Sequence, residues 1–594
     1  MISSILLGRI GKRGIKKIGG EAVMNYKIKY EQWLNSEVID KEDKEELLSI
    51  KENDKEIDER FYTDLAFGTG GMRGVRGIGT NRMNKYMIRK ATQGLANYML
   101  KFDLERAKKE GVAIAYDCRI GSTEYALNTA LVLAANGIKA YLFESLRSTP
   151  ELSFAVRETG ALAGVVVTAS HNPVEYNGYK VYWDDGAQIV EPHADGVVDE
   201  VNAIKDLSEI KIISEEEARN NGLIIDIGAE IDTKYIETIK KEVIQTQIEG
   251  KEDFKIVYSP LHGTGRRPVE RVLKEMGFNS VYTVASQAEP DGTFPTVGYA
   301  NPEEPAVFKL GIELAESVGA TICMANDPDA DRIGIAVKDG DNWVYPNGNQ
   351  VGLLLMNYIL ENKKDIPKNG AVISTVVSTP MLETVAKAHG VNVYRTLTGF
   401  KYIGEKIREF ENKTLDGTYL FGFEESYGYL IGTHARDKDA IVTTMILAEL
   451  AAYYASKGTN VAQELKKMYD TYGWYKEGII SVTMGGKEGV TQIQGIMDKL
   501  RENPPKEING VKAVTLKDFE LQVETNINTG EKSAINLPKS NVIQVILEDG
   551  TYITARPSGT EPKIKYYFGV NAKTENLVEE KMEAMKKAFT EIVK

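Results

Sequence analysis

The sequence predicts an α/β protein whose repeated domains face one cleft, followed by a smaller α+β domain at the C-terminal end. Three observations lead there. Strand-like apolar runs alternate with helical patterns along most of the chain, the order that builds α/β layers. Several of those runs end in a polar loop, and in open α/β sheets ligands collect at the carboxyl ends of strands. From about residue 470 on, the pattern changes to hairpin, strand and closing helix. At 594 residues the chain is too long for one core, and about three to four domains are expected.

In chain order, residues 1–23 come first. Ile5-Leu-Leu7 is followed by Arg9, Lys12, Arg13, Lys16 and Lys17, the reverse of a secretory signal, whose charges precede its apolar run. These residues are expected to be a disordered extension outside the fold. The expected domains are then 24–227, 228–341, 342–469 and 470–594. Gly68-Thr-Gly-Gly-Met-Arg-Gly74 resembles a dinucleotide fingerprint, but no clear strand precedes it and the spacing is wrong. Val112–Tyr116 leads into Asp117-Cys-Arg119.

Ala163-Gly-Val-Val-Val167 reads as a buried strand and delivers Thr168-Ala-Ser-His-Asn-Pro173 to its end. Ser170, His171 and, shortly after, Lys180 put a hydroxyl, an imidazole and an ammonium in one region. That set suits phosphoryl transfer, the hydroxyl carrying the group and the cations stabilising it. An ordinary Asn-Pro turn is the competing reading. Phe254–Tyr258 then leads into Ser259–Gly265. Val307, Leu310, Leu314 and Val318 share a helical face between Pro305 and Gly319.

The strand Thr321–Ala325 leads into Asn326-Asp-Pro-Asp-Ala-Asp331. Asp327, Asp329 and Asp331 alternate, so in an extended loop they point the same way. Converging carboxylates call for a hard divalent cation. An EF-hand fails, because its Gly and Glu positions hold Arg332 and Lys338. Mg²⁺ fits, with Arg332 placed to pair with a phosphate oxygen. Gly422-Phe-Glu-Glu-Ser-Tyr-Gly428 offers Glu424 and Ser426 to sugar hydroxyls. In Arg436-Asp-Lys-Asp439, Lys438 suits proton transfer if its pKa is lowered.

Asp549-Gly550 between Val542–Leu547 and Thr551–Ala555 marks a hairpin. Arg556-Pro-Ser-Gly-Thr560 gathers a guanidinium, two hydroxyls and a turn glycine, a nest for a phosphate that is held rather than transferred. The competing reading is a capped turn. The strand Lys563–Val570 and a helix with Leu577, Met582, Met585, Phe589 and Ile592 as its stripe complete the domain.

Composition removes other classes. A net charge of −13 argues against a nucleic-acid surface, and no stretch is long and apolar enough for a membrane span. Two cysteines, Cys118 and Cys323, support neither a disulfide framework nor a zinc site. They read as buried free thiols of a cytoplasmic protein.

Taken in order, Phe67–Gly74, Thr168–Pro173, Asp327–Arg332, Glu424-Glu-Ser426 and Arg556–Thr560 resemble the α-D-phosphohexomutase superfamily, from about Tyr62 to Phe568. The resemblance implies three αβα sandwich domains with mixed sheets and a smaller fourth domain around a central cleft. It implies that Ser170 carries the phosphoryl group, with Asp327, Asp329, Asp331 and Ser170 around Mg²⁺. Glu424 and Ser426 match sugar contacts, and Lys438 matches a proton-transfer lysine, with Asp437 where the family has Glu. Arg73 and Lys180 match cations beside the phosphoserine. Arg556, Ser558, Gly559 and Thr560 match the distal phosphate clamp.

Phe423 stands where many members have Gly. Pro290–Pro295 and Asn301-Pro-Glu-Glu304 resemble the longer phosphoglucomutase branch, which is similar to pentose-phosphate isomerising enzymes. The implied reaction is glucose 1-phosphate to glucose 6-phosphate through glucose 1,6-bisphosphate, on free sugar phosphates as partners. Phosphomannomutase or phosphopentomutase chemistry, a sugar-phosphate sensor and a Ca²⁺ module are the alternatives.

Overall fold

The computed structural model describes residues 25–593 apart from 69, 485 and 559–562. The expected extension at 1–23 lies outside them. Four sheets organise the chain. The first runs Gly71–Val75, Tyr176–Trp183, Ala163–Val167, Val112–Tyr116, Ala140–Phe143, Ile224–Ile227. Its last four strands are parallel and its first two antiparallel. The second runs Asn342–Val344, Ile333–Asp339, Ile322–Asn326, Ile256–Ser259, Val281–Thr283, and the third Asn392–Thr396, Gly370–Thr375, Thr418–Glu424, Gly428–Ile431. Both are mixed as well. The fourth sheet is antiparallel throughout.

The central strands Val112–Tyr116, Ala163–Val167, Ile322–Asn326 and Gly370–Thr375 are buried at every position. Continuous apolar runs of this kind are what a sheet covered on both faces requires. Asn342–Val344 pairs with Ile333–Asp339, so the second sheet extends past the expected limit of 341. The helix Ala440–Ser456 is buried nearly all round and lies against strands of both the second and third sheets. A helix apolar on every side must be enclosed. It helps merge residues of the first three sheets into one core.

Two stripes match expectation only in part. In the segment Pro305–Val318, Val307, Phe308, Gly311 and Ala315 are the buried residues, while Leu310, Leu314 and Val318 pack at the edge. The strand Ile322–Asn326 comes so close that a Cβ on Gly311 would lie 2.3 Å from Cys323 Sγ. In the C-terminal helix Glu575–Val593 the stripe is Val578, Met582, Met585 and Phe589, and Leu577 is exposed. Both thiols are free; Cys323 is buried and Cys118 is only half-buried. The hairpin forms as expected, with Ile546 opposite Tyr552 and Gly550 at φ 83°.

Candidate active site

Ser170 leaves the end of Ala163–Val167 in the left-handed region, at φ 51°. A serine stays there only when its surroundings hold it. Thr168 does so first: its Oγ1 accepts the Ser170 amide at 2.8 Å and donates to Asp117 Oδ2 at 2.6 Å. Arg119 does the rest. Its guanidinium donates to the carbonyls of Ser170, Asn172, Pro173 and Tyr176. Its side chain is fully buried beside Asp117 and lies 5.0 Å from the Phe294 ring centre. The sequence shows Asp117 and Arg119 as a strand-end loop without a role; only folding brings them under the serine. Ser170 Oγ donates to Asp327 Oδ2 at 2.6 Å and lies 3.1 Å from His171 Nδ1.

The carboxylates of Asp327, Asp329 and Asp331 offer ligand atoms within 4.8 Å of one another, and all three are buried. Asp327 Oδ1 accepts the amides of Asp331 and Arg332. Asp329 Oδ2 accepts from Thr149 Oγ1 at 2.8 Å and Lys180 Nζ at 3.0 Å. Lys180 also reaches Asp331 Oδ2 at 3.3 Å, and Lys438 Nζ lies 3.1 Å from the same oxygen. Asp329 Oδ1 and Asp331 Oδ1 are buried without a hydrogen-bond partner, Arg332 Nε lying 3.9 Å from the latter. An unpaired buried carboxylate oxygen is costly. The three clustered carboxylates, with Ser170 Oγ bonded to Asp327, form a hard oxygen donor set that fits Mg²⁺.

The loop is buttressed from behind. Thr264 donates its amide to the Pro328 carbonyl at 2.9 Å. A Cβ on Gly263 would sit 2.4 Å from Pro328 Cα, so this contact needs glycine. Burial and the neighbouring Asp329 and Asp331 push the Asp327 carboxyl well up. Burial acts the same way on Asp329, but Lys180 and its hydrogen bonds outweigh it and hold that carboxyl down.

Two expected proton states are corrected here. Burial, with Arg332 and Arg73 nearby, pushes the His171 imidazole down to about 2. His171 is therefore neutral, and Lys180 and Arg73 are left as the cations at the serine. Lys438 does not have the lowered pKa that its expected role calls for. Burial does act downward, but Asp331, Asp437 and Glu424 outweigh it and raise it. Lys438 is thus an ammonium, donating to Asp437 Oδ1 at 2.9 Å. Asp437 in turn accepts from Tyr182 at 2.7 Å.

Arg73 and Lys180 lie on the antiparallel pair formed by Gly71–Val75 and Tyr176–Trp183. Arg73 Nη1 donates to Asn172 Oδ1 at 2.9 Å. Arg332 pairs with Glu303 at 2.6 Å, a partner the sequence pattern does not reveal.

Glu424 ends the strand Thr418–Glu424 and is 4% exposed. Its Oε1 accepts the Gly399 amide at 2.7 Å. Burial pushes its carboxyl up to about 7, against the pull of Lys438. Ser426 is half-buried on the turn that follows. Phe423 faces away into the core, fully buried, stacked on Phe421 and packed over Gly352. The phenyl ring at this position therefore fills the core rather than the cleft.

Arg556 lies on the strand Tyr552–Pro557 opposite Lys565 and bonds to the Tyr567 hydroxyl. Ser558 is exposed and donates its amide to the Lys563 carbonyl at 2.7 Å. Gly559 and Thr560 lie outside the described residues. Burial, Lys563 and Arg556 together lower the Lys565 ammonium, which marks a concentration of positive charge.

Residues 64–208, 233–340 and 347–472 match the family models for phosphoglucomutase/phosphomannomutase alpha/beta/alpha domains I, II and III. A phosphoglucomutase of Staphylococcus epidermidis is 37% identical over 532 residues, covering 89% of this chain and 94% of the relative. One from Staphylococcus aureus is 36% identical over 537 residues, covering 90% and 95%. Among solved structures, a putative phosphomannomutase from Thermus thermophilus superposes with a TM-score of 0.65 at 20% identity, covering 89% of this chain and 99% of that one. The phosphoglucomutase parafusin from Paramecium gives 0.65 at 18%, covering 88% and 95%. At such identities the structures speak for the fold, and the staphylococcal sequences and domain matches for the family. The chain belongs to the phosphoglucomutase/phosphomannomutase family.

Proposed function

We propose that the protein is a phosphoglucomutase, an isomerase interconverting α-D-glucose 1-phosphate and glucose 6-phosphate through a phosphoserine at Ser170 and glucose 1,6-bisphosphate. The observation that carries this reading is the Ser170 hydroxyl bonded to Asp327 inside a buried carboxylate cluster with two unpartnered oxygens. A binding protein has no need of a nucleophile so placed. The staphylococcal relatives named phosphoglucomutase support the same sugar.

In this reading the free sugar hydroxyl attacks the phosphorus on Ser170. The bond from phosphorus to Oγ breaks and the proton lost by the attacking hydroxyl ends on Oγ; the bisphosphate then turns, and its other phosphate returns to the serine as the Ser170 proton passes to the sugar oxygen it leaves. Asp327, Asp329, Asp331 and Ser170 would hold Mg²⁺, which when bound would withdraw charge from the phosphoryl oxygens. Lys180 and Arg73 stabilise the same group. Lys438, held as an ammonium by Asp331, Asp437 and Glu424, stabilises charge on the transferring oxygens rather than giving up its proton. Glu424 and Ser426 accept and orient sugar hydroxyls, Arg332 steers a phosphate oxygen, and Arg556 with Ser558, Gly559 and Thr560 holds the phosphate that is not transferred. The domains are placed at 24–227, 228–344, 345–469 and 470–594, and the enzyme in the cytoplasm.

A coupled assay on glucose, mannose and ribose 1-phosphates, with and without bisphosphate, tests the reading. Glucose 1-phosphate should be turned over fastest. A preference for mannose or ribose would move the enzyme to a neighbouring mutase. Binding without turnover would make it a sensor. Ser170→Ala should lose activity by several orders of magnitude with little change in Tm, because it removes the nucleophile. Intact mass should find the phosphoryl group on Ser170 and on no other residue.

A further inference from the structure

The turn at residues 375–378 lies between the sugar-facing hairpin and the fourth sheet, and both grip it. On one side Thr375 Oγ1 donates to Glu425 Oε2 at 2.8 Å, and Ser378 Oγ reaches the same oxygen at 3.2 Å. The two hydroxyls also bond each other at 2.9 Å. Ser374 Oγ donates to the Phe423 carbonyl at 2.7 Å. Glu425 thus faces a buried anchor while its neighbours Glu424 and Ser426 are left for ligand. On the other side Tyr552 OH bonds the carbonyls of Val377 at 2.7 Å and Ser378 at 3.0 Å. Gln544 Nε2 donates to the Val376 carbonyl at 2.7 Å. Val376 and Val377 pack on Phe519, Val542 and Tyr567.

Tyr552 and Arg556 lie on one strand, four residues apart, and so project from the same face of the sheet. Tyr567, packed on the turn, also bonds Arg556. The strand that carries the clamp arginine is therefore the strand that grips the turn.

We propose that Tyr552 is a positioning residue for the sugar loop: it fixes the 375–378 turn from the fourth sheet, and the turn fixes Glu425 and with it Glu424 and Ser426. This rests on the proposed sugar role of that loop. A ligand phosphate held at Arg556 steadies the same strand, so capture of the distal phosphate and alignment of the sugar carboxylate are linked through a few hydrogen bonds. The ring of Tyr552 is buried, so Tyr552→Phe keeps the packing and removes only the hydroxyl.

The experiment compares full-length wild type, Tyr552→Phe, Thr375→Val and the double variant. Tm identifies any that fail to fold. Hydrogen exchange, read by mass spectrometry on peptides covering 424–431, should quicken several-fold in both single variants. Exchange in 327–331 should stay unchanged. The KM for glucose 1-phosphate should rise roughly five- to tenfold, the effect of one buried hydrogen bond, with kcat within about twofold. The double variant should be no worse than the poorer single, because both break one chain of contacts. Unchanged exchange at 424–431 in Tyr552→Phe, or multiplicative KM effects in the double variant, overturns the proposal. If Tyr552→Phe fails to fold, unchanged exchange at 424–431 in Thr375→Val overturns it. A wild type that does not turn over glucose 1-phosphate removes the proposed function instead and leaves the exchange result to decide the coupling.

Discussion

The serine–carboxylate centre and the Arg556 loop both read as phosphate sites, yet they are built on opposite plans. In the first, Ser170, Asp327, Asp329 and Asp331 are each 3% exposed or less. Several segments fix them: Arg119 under the serine loop, Thr149 and Thr264 behind the acidic loop, Lys180 and Lys438 across it. In the second, Arg556 is half-buried and Ser558 exposed on the rim of one sheet. A phosphoryl group in transfer needs reacting atoms held to within a fraction of an ångström. A phosphate that is only held, and must be either end of the same sugar, needs charge and tolerance. On the proposed roles, burial and redundancy of support separate the site of chemistry from the site of binding.

Breaking the rigid centre should have the largest effect. Asp329→Asn removes one negative charge and weakens the acceptor for Lys180 and Thr149. Turnover should fall on the order of a thousand-fold, several kcal/mol of lost charge stabilisation. Mg²⁺ titrated by calorimetry should bind more weakly, and EDTA should silence the wild type. Full activity in excess EDTA would contradict the metal assignment.

Removing a support without touching the chemistry should come next. Arg119→Lys keeps the charge but cannot reproduce a fan of bonds to four carbonyls. Global stability should fall on the order of 3 kcal/mol, as when a buried charged network is broken. Urea unfolding measures this; an unchanged midpoint would mean the serine loop holds itself.

Between the two sites, Glu424 adds a pH dependence. Its folded carboxyl titrates at about 7, above the ordinary 4.5. Between those values the unfolded chain has released the proton and the folded one has kept it, so stability falls as pH rises through that window. The loss is at most on the order of 3 kcal/mol. Glu424→Gln should be flatter than wild type in unfolding free energy from pH 5 to pH 7; parallel curves would refute the shift.

The tolerant site should yield the smallest change. Arg556→Lys should weaken substrate binding by about 1–3 kcal/mol, since an ammonium cannot copy the guanidinium fork. Stability should move by less than about 0.5 kcal/mol, as at other surface positions. Free glucose 1,6-bisphosphate should accumulate during turnover. A large loss of Tm would show that Arg556 is a structural residue of the fourth domain.

Much of this is legible before folding. The strand Ala163–Val167 is readable to the residue because a strand buried on both faces is apolar at every position. The convergence of Asp327, Asp329 and Asp331 is legible because residues at i, i+2 and i+4 of an extended loop point the same way. The C-terminal stripe comes out at Met582, Met585 and Phe589, while Val578 is enclosed where the pattern points to Leu577. Periodicity gives a helix's apolar side, but the neighbour decides which residue on that side is enclosed.

The sequence by itself determined the layer class, the strand-end loops and the residue types that each loop carries. These depend on residue type and local period, which are properties of neighbours in the chain. Only the tertiary structure decided which loops meet and in what charge state. Thr149 carries no motif, yet it holds Asp329 from 180 positions away. Burial, joined by Arg332 and Arg73, holds His171 neutral, while Asp331, Asp437 and Glu424 hold Lys438 charged against burial, and folding delivers all of these. A pKa is set by the charges and burial around a group. Those belong to the assembled cleft, whose walls come from segments far apart in the chain.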